Sequence, residues 1–324
     1  MSKTMQMPEL IERINAVRPI VEWWLSIKDT PTGKAILAAE KGQFSLLSQS
    51  KGGGVAPFYG SQQESVAKTK HNKHIIGWEQ VVTFLEAANF SGLVNLCPHS
   101  TPECREHCLG HTAGHMPYRN NRIAQRVRTT HLVDNTFGSL IILLDELERH
   151  AKRIHKKGKM ATWRPNGDSD IPWELAAWFL SLVHKVGIDQ MFDYTKDHAR
   201  LFSLEFLMLP SQSIRYYLAP SATEWTLPGQ LRGGMVVIVD LEPNDPIPAT
   251  YGHFETIDGD WDNGDLRFLD DPTKLVLIRK KGSLRKVTGS WDSFCKPGFL
   301  NTGLQSVSRP ISQPVIIKQK ETAS

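Results

Sequence analysis

The chain has 324 residues, 40% of them hydrophobic and 22% charged, enough to bury a large core without covalent cross-links. Four cysteines in that length exclude a secreted disulfide scaffold, and no apolar run is long enough for a membrane-spanning helix, so a cytoplasmic location with no membrane partner is expected. The formal net charge of +4 allows an anionic partner, a nucleotide or nucleic acid, without requiring one.

In chain order, PELIERINAVRPIVEWWLSI reads as an amphipathic helix, LSQSKGGGVAPFYGSQQESVAKTKHNKH as a Gly/Ser/Gln/Lys-rich passage, and WEQVVTFLEAA as a shorter helix. Residues 1–90 therefore read as an N-terminal helical and loop extension. From 91 to 300, short apolar runs alternate with helical periods. They are SGLVNLC, the arginine-rich helix YRNNRIAQRVR, TFGSLIILLDELERHAKRIHKK, MATWRP, IPWELAAWFLSLVHKVG, MFDYT, a short helix, IRYYLAP, a helix near EWTLPGQL, MVVIVDL and KLVLIR. Strands apolar throughout and separated by helices call for a parallel sheet covered on both faces. The expected fold is α/β, a partial or irregular parallel (β/α) barrel with an N-terminal helical extension, in preference to an open doubly wound sheet. Residues 301–324 read as a polar C-terminal tail.

Parallel folds place their chemistry in loops beyond the C-terminal ends of the strands. Cys97, Cys104 and Cys108, spaced C-x6-C-x3-C in a polar, proline-containing stretch, are the candidate metal ligands. Thiolates suit zinc or an iron-sulfur cluster, and three local ligands leave one position open for water, substrate or cofactor. The competing reading is three structural thiols that bind nothing. His99, His107, His111 and His115 are candidates for a fourth ligand, and Cys295 is remote in sequence. A shared ion would bring the three sulfurs within roughly 4 Å of one another.

Asp168, Arg164, Asn166 and Lys196 follow candidate strands and are expected to share a cavity with the cysteine loop. Asp168 would move a proton, Arg164 and Lys196 would hold an anionic substrate, and Asn166 would orient it. Asp170 and Arg122 are the candidates for cofactor contact, although Asp170, ahead of Ile171-Pro172-Trp173-Glu174, also reads as a helix cap. Arg119, Arg122 and Arg126 share one helix face that suits phosphate. Arg149 to Lys159 read as a solvated helix end, Lys68, Lys70 and Lys73 as a basic loop, and Asp258, Asp260, Asp262 and Asp265 as a turn-rich loop unlike a calcium site. Trp23, Trp24, Trp173 and Trp178 fit core-facing helix positions.

CPHSTPECREHCLG, YRNNRIAQRVR, RPNGDSD, DYTK, and DGDWDNGDLRFLDD before KLVLIRKKG follow one another between about 90 and 300. This succession resembles the bacteriophage gene-product-88 family, with His107-Cys108-Leu109-Gly110 standing where that family closes on an aromatic residue. The resemblance implies a phage origin, hence the host cytoplasm, and leaves the reaction open. A cysteine triad after the first strand of a partial barrel is more distantly similar to radical S-adenosylmethionine enzymes. That similarity implies a 4Fe-4S cluster on the triad with S-adenosylmethionine at its open iron, although their C-x3-C-x2-C spacing differs. VGIDQMFDYTKDHAR resembles a strand-end segment of tRNA-guanine transglycosylases and their relatives that insert 7-deazaguanines into DNA. That implies Asp193 as nucleophile and Asp168 as acid/base, but zinc cysteines follow the nucleophile in that family and precede it here. The functions left open are a metal- or iron-sulfur-dependent enzyme acting on a nucleotide or nucleic acid, a base-exchange enzyme, and a non-catalytic, metal-stabilised phage binding protein. Oligomeric state is not legible.

Overall fold

The computed structural model describes residues 4–51, 78–112, 117–201, 215–260, 271, 273–293 and 295–298. Lys68, Lys70, Lys73, His115, Asp262, Asp265 and the 301–324 tail lie outside them. Helices α1 (Met7–Ala16), α2 (Arg18–Ile27) and α3 (Pro31–Ser50) open the chain. The long helix expected over 8–27 is two helices, because Pro19 lacks the N–H an uninterrupted helix needs there and instead takes a first-turn place in α2. Trp24 is buried, but Trp23 is 48% exposed. Neighbouring helix positions point about 100° apart, so the two tryptophans cannot both face the core. Helix α3, which the hydrophobic pattern did not announce, starts where the Thr30 hydroxyl accepts the Gly33 N–H at 3.2 Å.

The sheet begins earlier than the sequence suggested. Residues Trp78–Val82, expected as helix, form strand β1 in parallel register with β2 (Met160–Arg164), Trp78 opposite Met160 and Val82 opposite Arg164. An apolar run this short fits either period, and burial on both faces decides for the strand. SGLVNL, expected as a strand, makes one bridge, Val94 to Met5. EWTLPGQL holds only a 3-10 turn at Pro228–Gln230. Strands β3 (Gln190–Thr195) and β4 (Tyr216–Pro220) complete a parallel sheet in the order β1-β2-β3-β4.

A second sheet comprises β5 (Val236–Val239), β6 (Thr250–Tyr251), β7 (Phe254–Asp258) and β8 (Leu275–Arg279), in the order β5-β8-β7-β6 with only β6 antiparallel. A parallel bridge between Ser221 and Val236 joins the two, and the Ala222 N–H donates to the Val236 carbonyl at 2.8 Å. The result is a mixed α/β fold with N-terminal helices and a curled half-barrel of parallel strands.

Alternation along the strands separates two faces. Ala161, Trp163, Met191 and Tyr216 join the main core beneath α7 (Thr136–His155) and α8 (Ala177–Lys185), where Trp173 and Phe179 stack with ring centroids 5.5 Å apart. Phe192, Ala219, Val236, Ile257, Val276 and Ile278 meet on the concave face, with Tyr194 and Tyr217 against them. The basic end of α7 is ion-paired: Arg149 with Asp145, Lys152 with Glu148, and both Arg153 and Lys157 with Glu79 of β1. No helix among the described residues is long and apolar enough to cross a membrane.

Candidate functional site

Cys97 is delivered by the loop over 83–96 that follows β1. Ala88, the only non-glycine among the described residues at positive φ (+45°), turns that loop back on itself: its carbonyl accepts the Leu96 N–H at 2.8 Å and its backbone hydrogen-bonds the Cys97 sulfur. Short helix α4 (Pro102–Glu106) then carries Cys104, with Thr101 as its cap accepting the Cys104 N–H at 3.3 Å. Glu224, from the connection between β4 and β5, accepts both the Thr101 hydroxyl and the Glu103 N–H and pins α4 to the sheet. Cys108 precedes α5 (Leu109–Thr112). Within α5, Gly110 passes so close to Asp168 that a Cβ there would stand 2.6 Å from the Asp168 Cγ.

The three sulfurs and Lys196 lie within one another's electrostatic range. The Cys97 thiol donates to the Asp168 carbonyl at 3.4 Å. Burial pushes Cys97 upward, reinforced by Asp170, Cys108 and Cys104. Burial, with Asp168 and Cys104 beside it, pushes Cys108 up to about 12, against a backbone hydrogen bond from Gly110 and the charge of Lys196. For Lys196, burial acts downward, but Cys104, Asp170 and Cys97 outweigh it and raise the ammonium, which hydrogen-bonds the Cys104 sulfur. One fixed cation thus serves three thiols, and the thiol it touches is Cys104. Among the described residues, however, no group of three or more His, Cys, Asp or Glu side chains is gathered tightly enough to hold an ion.

Asp168 lies next to this cluster. Burial raises its carboxyl to about 6, while Arg164, Gln125 and Arg128 hold it from rising further. Gln125 and Arg128 come from α6 (Arg119–Asp134), the Gln125 Nε2 donating to Asp168 Oδ2 at 2.6 Å and the Arg128 Nη1 to the Phe84 carbonyl at 2.9 Å. Burial lowers Arg128 to about 10. Arg164 sits on the concave face with its guanidinium carbon 4.7 Å from the Tyr194 ring centroid. The sequence places Arg128 on this helix with Arg119, Arg122 and Arg126 but gives it no role, and it passes over Gln125, because attention fell on the exposed arginine face; their signal was their place among the apolar positions Val127 and Leu132.

Asn166 and Asp170 do other work than expected. The Asn166 side chain folds its own loop, donating to the Ile171 carbonyl at 2.9 Å and Asp193 Oδ2 at 2.8 Å and accepting from the Ser169 hydroxyl and the Ile171 N–H. Asp170 caps no helix. Its oxygens take the Arg200 guanidinium, the Thr195 hydroxyl and the Lys196 N–H, which ties the β2 loop to the end of β3 and fixes where Lys196 begins. Asp193 shares the helix-side face with Met191 and accepts from the Asn166 N–H at 2.9 Å and the Tyr216 hydroxyl at 2.9 Å. It points away from the concave face that carries Arg164 and Tyr194.

Arg122 is exposed and reaches the His111 carbonyl at 3.4 Å, outside the cysteine cluster. His99 pairs with Asp197 at 3.2 Å, and His107 lies 2.9 Å from the Ser283 hydroxyl. Cys295, remote in sequence, is fully buried with Ile238 and Leu284 in a small cluster against which Cys104 and Leu109 pack. Asp258 and Asp260 engage Arg279 and Lys281.

Residues 58–296 match the family model described as gene product 88. The chain belongs to the bacteriophage gene-product-88 family. Searches of curated proteins and of solved structures return no match. In this gene-product-88 member, the matched span contains β1 through β8, all four cysteines and the Asp168 neighbourhood. What those residues offer chemically is three soft donors, one lysine to balance their charge, and a carboxyl able to exchange a proton near neutral pH.

Proposed function

We propose that this gene-product-88 member is a metal-dependent enzyme in which Cys97, Cys104 and Cys108 hold a zinc ion or an iron-sulfur cluster, beside which an anionic substrate of the nucleotide class is bound. The observation that carries the reading is the thiol cluster itself: three sulfurs in mutual electrostatic range at the C-terminal ends of parallel strands, with Lys196 donating to one of them. Backbone hydrogen bonds to Cys97 and Cys108 add to it, because such bonds stabilise sulfurs that have lost their protons.

Binding requires the three side chains to turn onto a common centre and release their protons. When bound, zinc would supply Lewis acidity, and a cluster with an open iron would supply electrons and a seat for S-adenosylmethionine. Lys196 offsets the thiolate charge. Arg164, held over Tyr194, presents a guanidinium to a phosphate or carboxylate, and Asp168 gives or takes a proton at the substrate. Asn166 and Asp170 keep the loop that carries Asp168 in place. Base exchange gains no support, since Asp193 is turned toward the helices and accepts three hydrogen bonds there.

The test is anaerobic purification followed by metal and sulfide analysis. Broad visible absorbance with acid-labile sulfide identifies a cluster, and reduced protein should then cleave S-adenosylmethionine to 5′-deoxyadenosine if an iron is open. A colourless protein with one zinc per chain identifies zinc. No binding of either after reconstitution with both overturns the reading.

A further inference from the structure

The arginines on the outer face of α6 take no part in the thiol cluster, and their surroundings give them a different role. Arg119, Arg122 and Arg126 are exposed along one face, and at 1.5 Å rise per residue they span about 10 Å. Neither Arg119 nor Arg122 forms an ion pair with a carboxylate among the described residues. Arg126 is anchored through its Nη2 to the Ser91 carbonyl at 2.5 Å and stands 3.8 Å from Glu86.

Two exposed aromatic rings accompany these charges. Phe90, next to Ser91, is 42% exposed and meets His111 in a tilted ring contact, centroids 3.9 Å apart and planes at 38°, and the His111 carbonyl accepts from Arg122. Tyr118, at the start of α6, is 65% exposed. Hydrogen bonds and ring contacts therefore link Arg126, Phe90, His111 and Arg122, and the helix carries the row on to Arg119 and Tyr118.

We propose that this row of Tyr118, Arg119, Arg122, Phe90 and Arg126 is a binding surface for single-stranded nucleic acid. Guanidinium groups at helical spacing complement a phosphate backbone, and exposed ring faces complement unpaired bases, which every base offers and a duplex keeps stacked away. An acidic peptide would use the charges but leave the rings without partners. The surface does not require the thiols to hold a metal, since its arginines and rings, not the sulfurs, would meet the strand; its link to the cluster is the His111 N–H, which donates to the Cys108 carbonyl at 2.9 Å.

The test is fluorescence anisotropy of the full chain, as isolated, with a labelled mixed-sequence 20-mer as single-stranded DNA, as RNA and as duplex, between 50 and 200 mM salt. Arg119→Gln/Arg122→Gln should weaken single-strand binding at least tenfold at low salt and reduce the salt slope by about 1.4, at about 0.7 for each phosphate no longer neutralised. Phe90→Ala should weaken binding about tenfold while leaving the slope unchanged. A control, Arg149→Gln/Lys152→Gln, removes equal charge from the paired end of α7 and should change neither. Preference for DNA or for RNA is compatible with the proposal and names the strand. Equal or tighter duplex binding, no single-strand binding, an equal effect of the control, or binding to anionic vesicles in place of the strand overturns it. Unchanged thermal unfolding of the variants shows that weakened binding does not come from a weakened fold.

Discussion

Gln125 Nε2 lies 2.6 Å from Asp168 Oδ2, so α6 and the loop after β2 meet at a buried carboxyl group. The bond favours the charged form against the burial that raises Asp168 to about 6. Gln125→Leu removes that donor and leaves Asp168 to retreat toward its protonated form. A loss of about 1–3 kcal/mol is expected in urea unfolding at pH 7. An unchanged midpoint would show that the bond contributes nothing to the fold.

Gly110 is the other constraint on Asp168. A Cβ at 110 would stand 2.6 Å from the Asp168 Cγ and 2.8 Å from its Cβ, distances that real carbon atoms do not adopt. Gly110→Ala therefore has to push α5 and the Asp168 loop apart, for about 1–3 kcal/mol of destabilisation. Because the clash is with one side chain, Asp168→Gly in the same chain should recover part of the loss. Strictly additive losses in that double-mutant cycle would place the strain elsewhere.

These contacts mark how far the sequence could be read. The alternation of MATWRP, MFDYT, IRYYLAP, MVVIVDL and KLVLIR announced a parallel sheet, because strands buried on both faces must be apolar throughout. WEQVV was hidden because its valines fit a helical period as well as a strand, and only pairing with β2 distinguishes the two. Spacing and loop chemistry singled out Cys97, Cys104 and Cys108, although among the described residues they are not gathered tightly enough to hold an ion. Their neighbours were less legible: Gln125 and Arg128 sit on the helix face that a search for exposed arginines passes over. Asn166 and Asp170 looked like ligand-binding groups because loop scaffolding and ligand binding recruit the same short polar side chains.

Asp193 predicts a pH dependence. Burial holds its carboxyl at about 7 despite Arg164, the Asn166 backbone, Arg200 and the Tyr216 hydroxyl, well above its value in an unfolded chain. The folded state thus binds the proton more tightly. The stabilisation this provides is complete below about pH 4 and is lost as pH rises through about 7. Asp193→Asn, which stays neutral and can still accept from Asn166, should flatten the melting temperature between pH 5 and 8. The loss it removes is roughly 2–4 kcal/mol. The same downward slope in both proteins would assign the dependence to another group.

The three cysteines of the loop predict a graded response that separates ligands from structural thiols. Cys97, Cys104 and Cys108 approach from three short segments, the end of the loop over 83–96, α4 and the start of α5, so an ion shared among them would fasten the three segments together. Replacing any one by serine removes a soft donor while keeping nearly the same size, and metal content and soluble yield should fall together. Cys295→Ser supplies the contrast: it buries a hydroxyl in the apolar cluster with Ile238 and Leu284, which costs about 1–3 kcal/mol in unfolding but should leave metal content near that of the parent. Lys196→Met tests the same centre from the charge side. Without the ammonium that touches Cys104, three thiolates lose their balancing charge, and metal retention should weaken most at low pH, where protons compete for the sulfurs. Full metal retention in all three loop variants, measured by elemental analysis on anaerobically purified protein, would leave the cysteines as structural thiols.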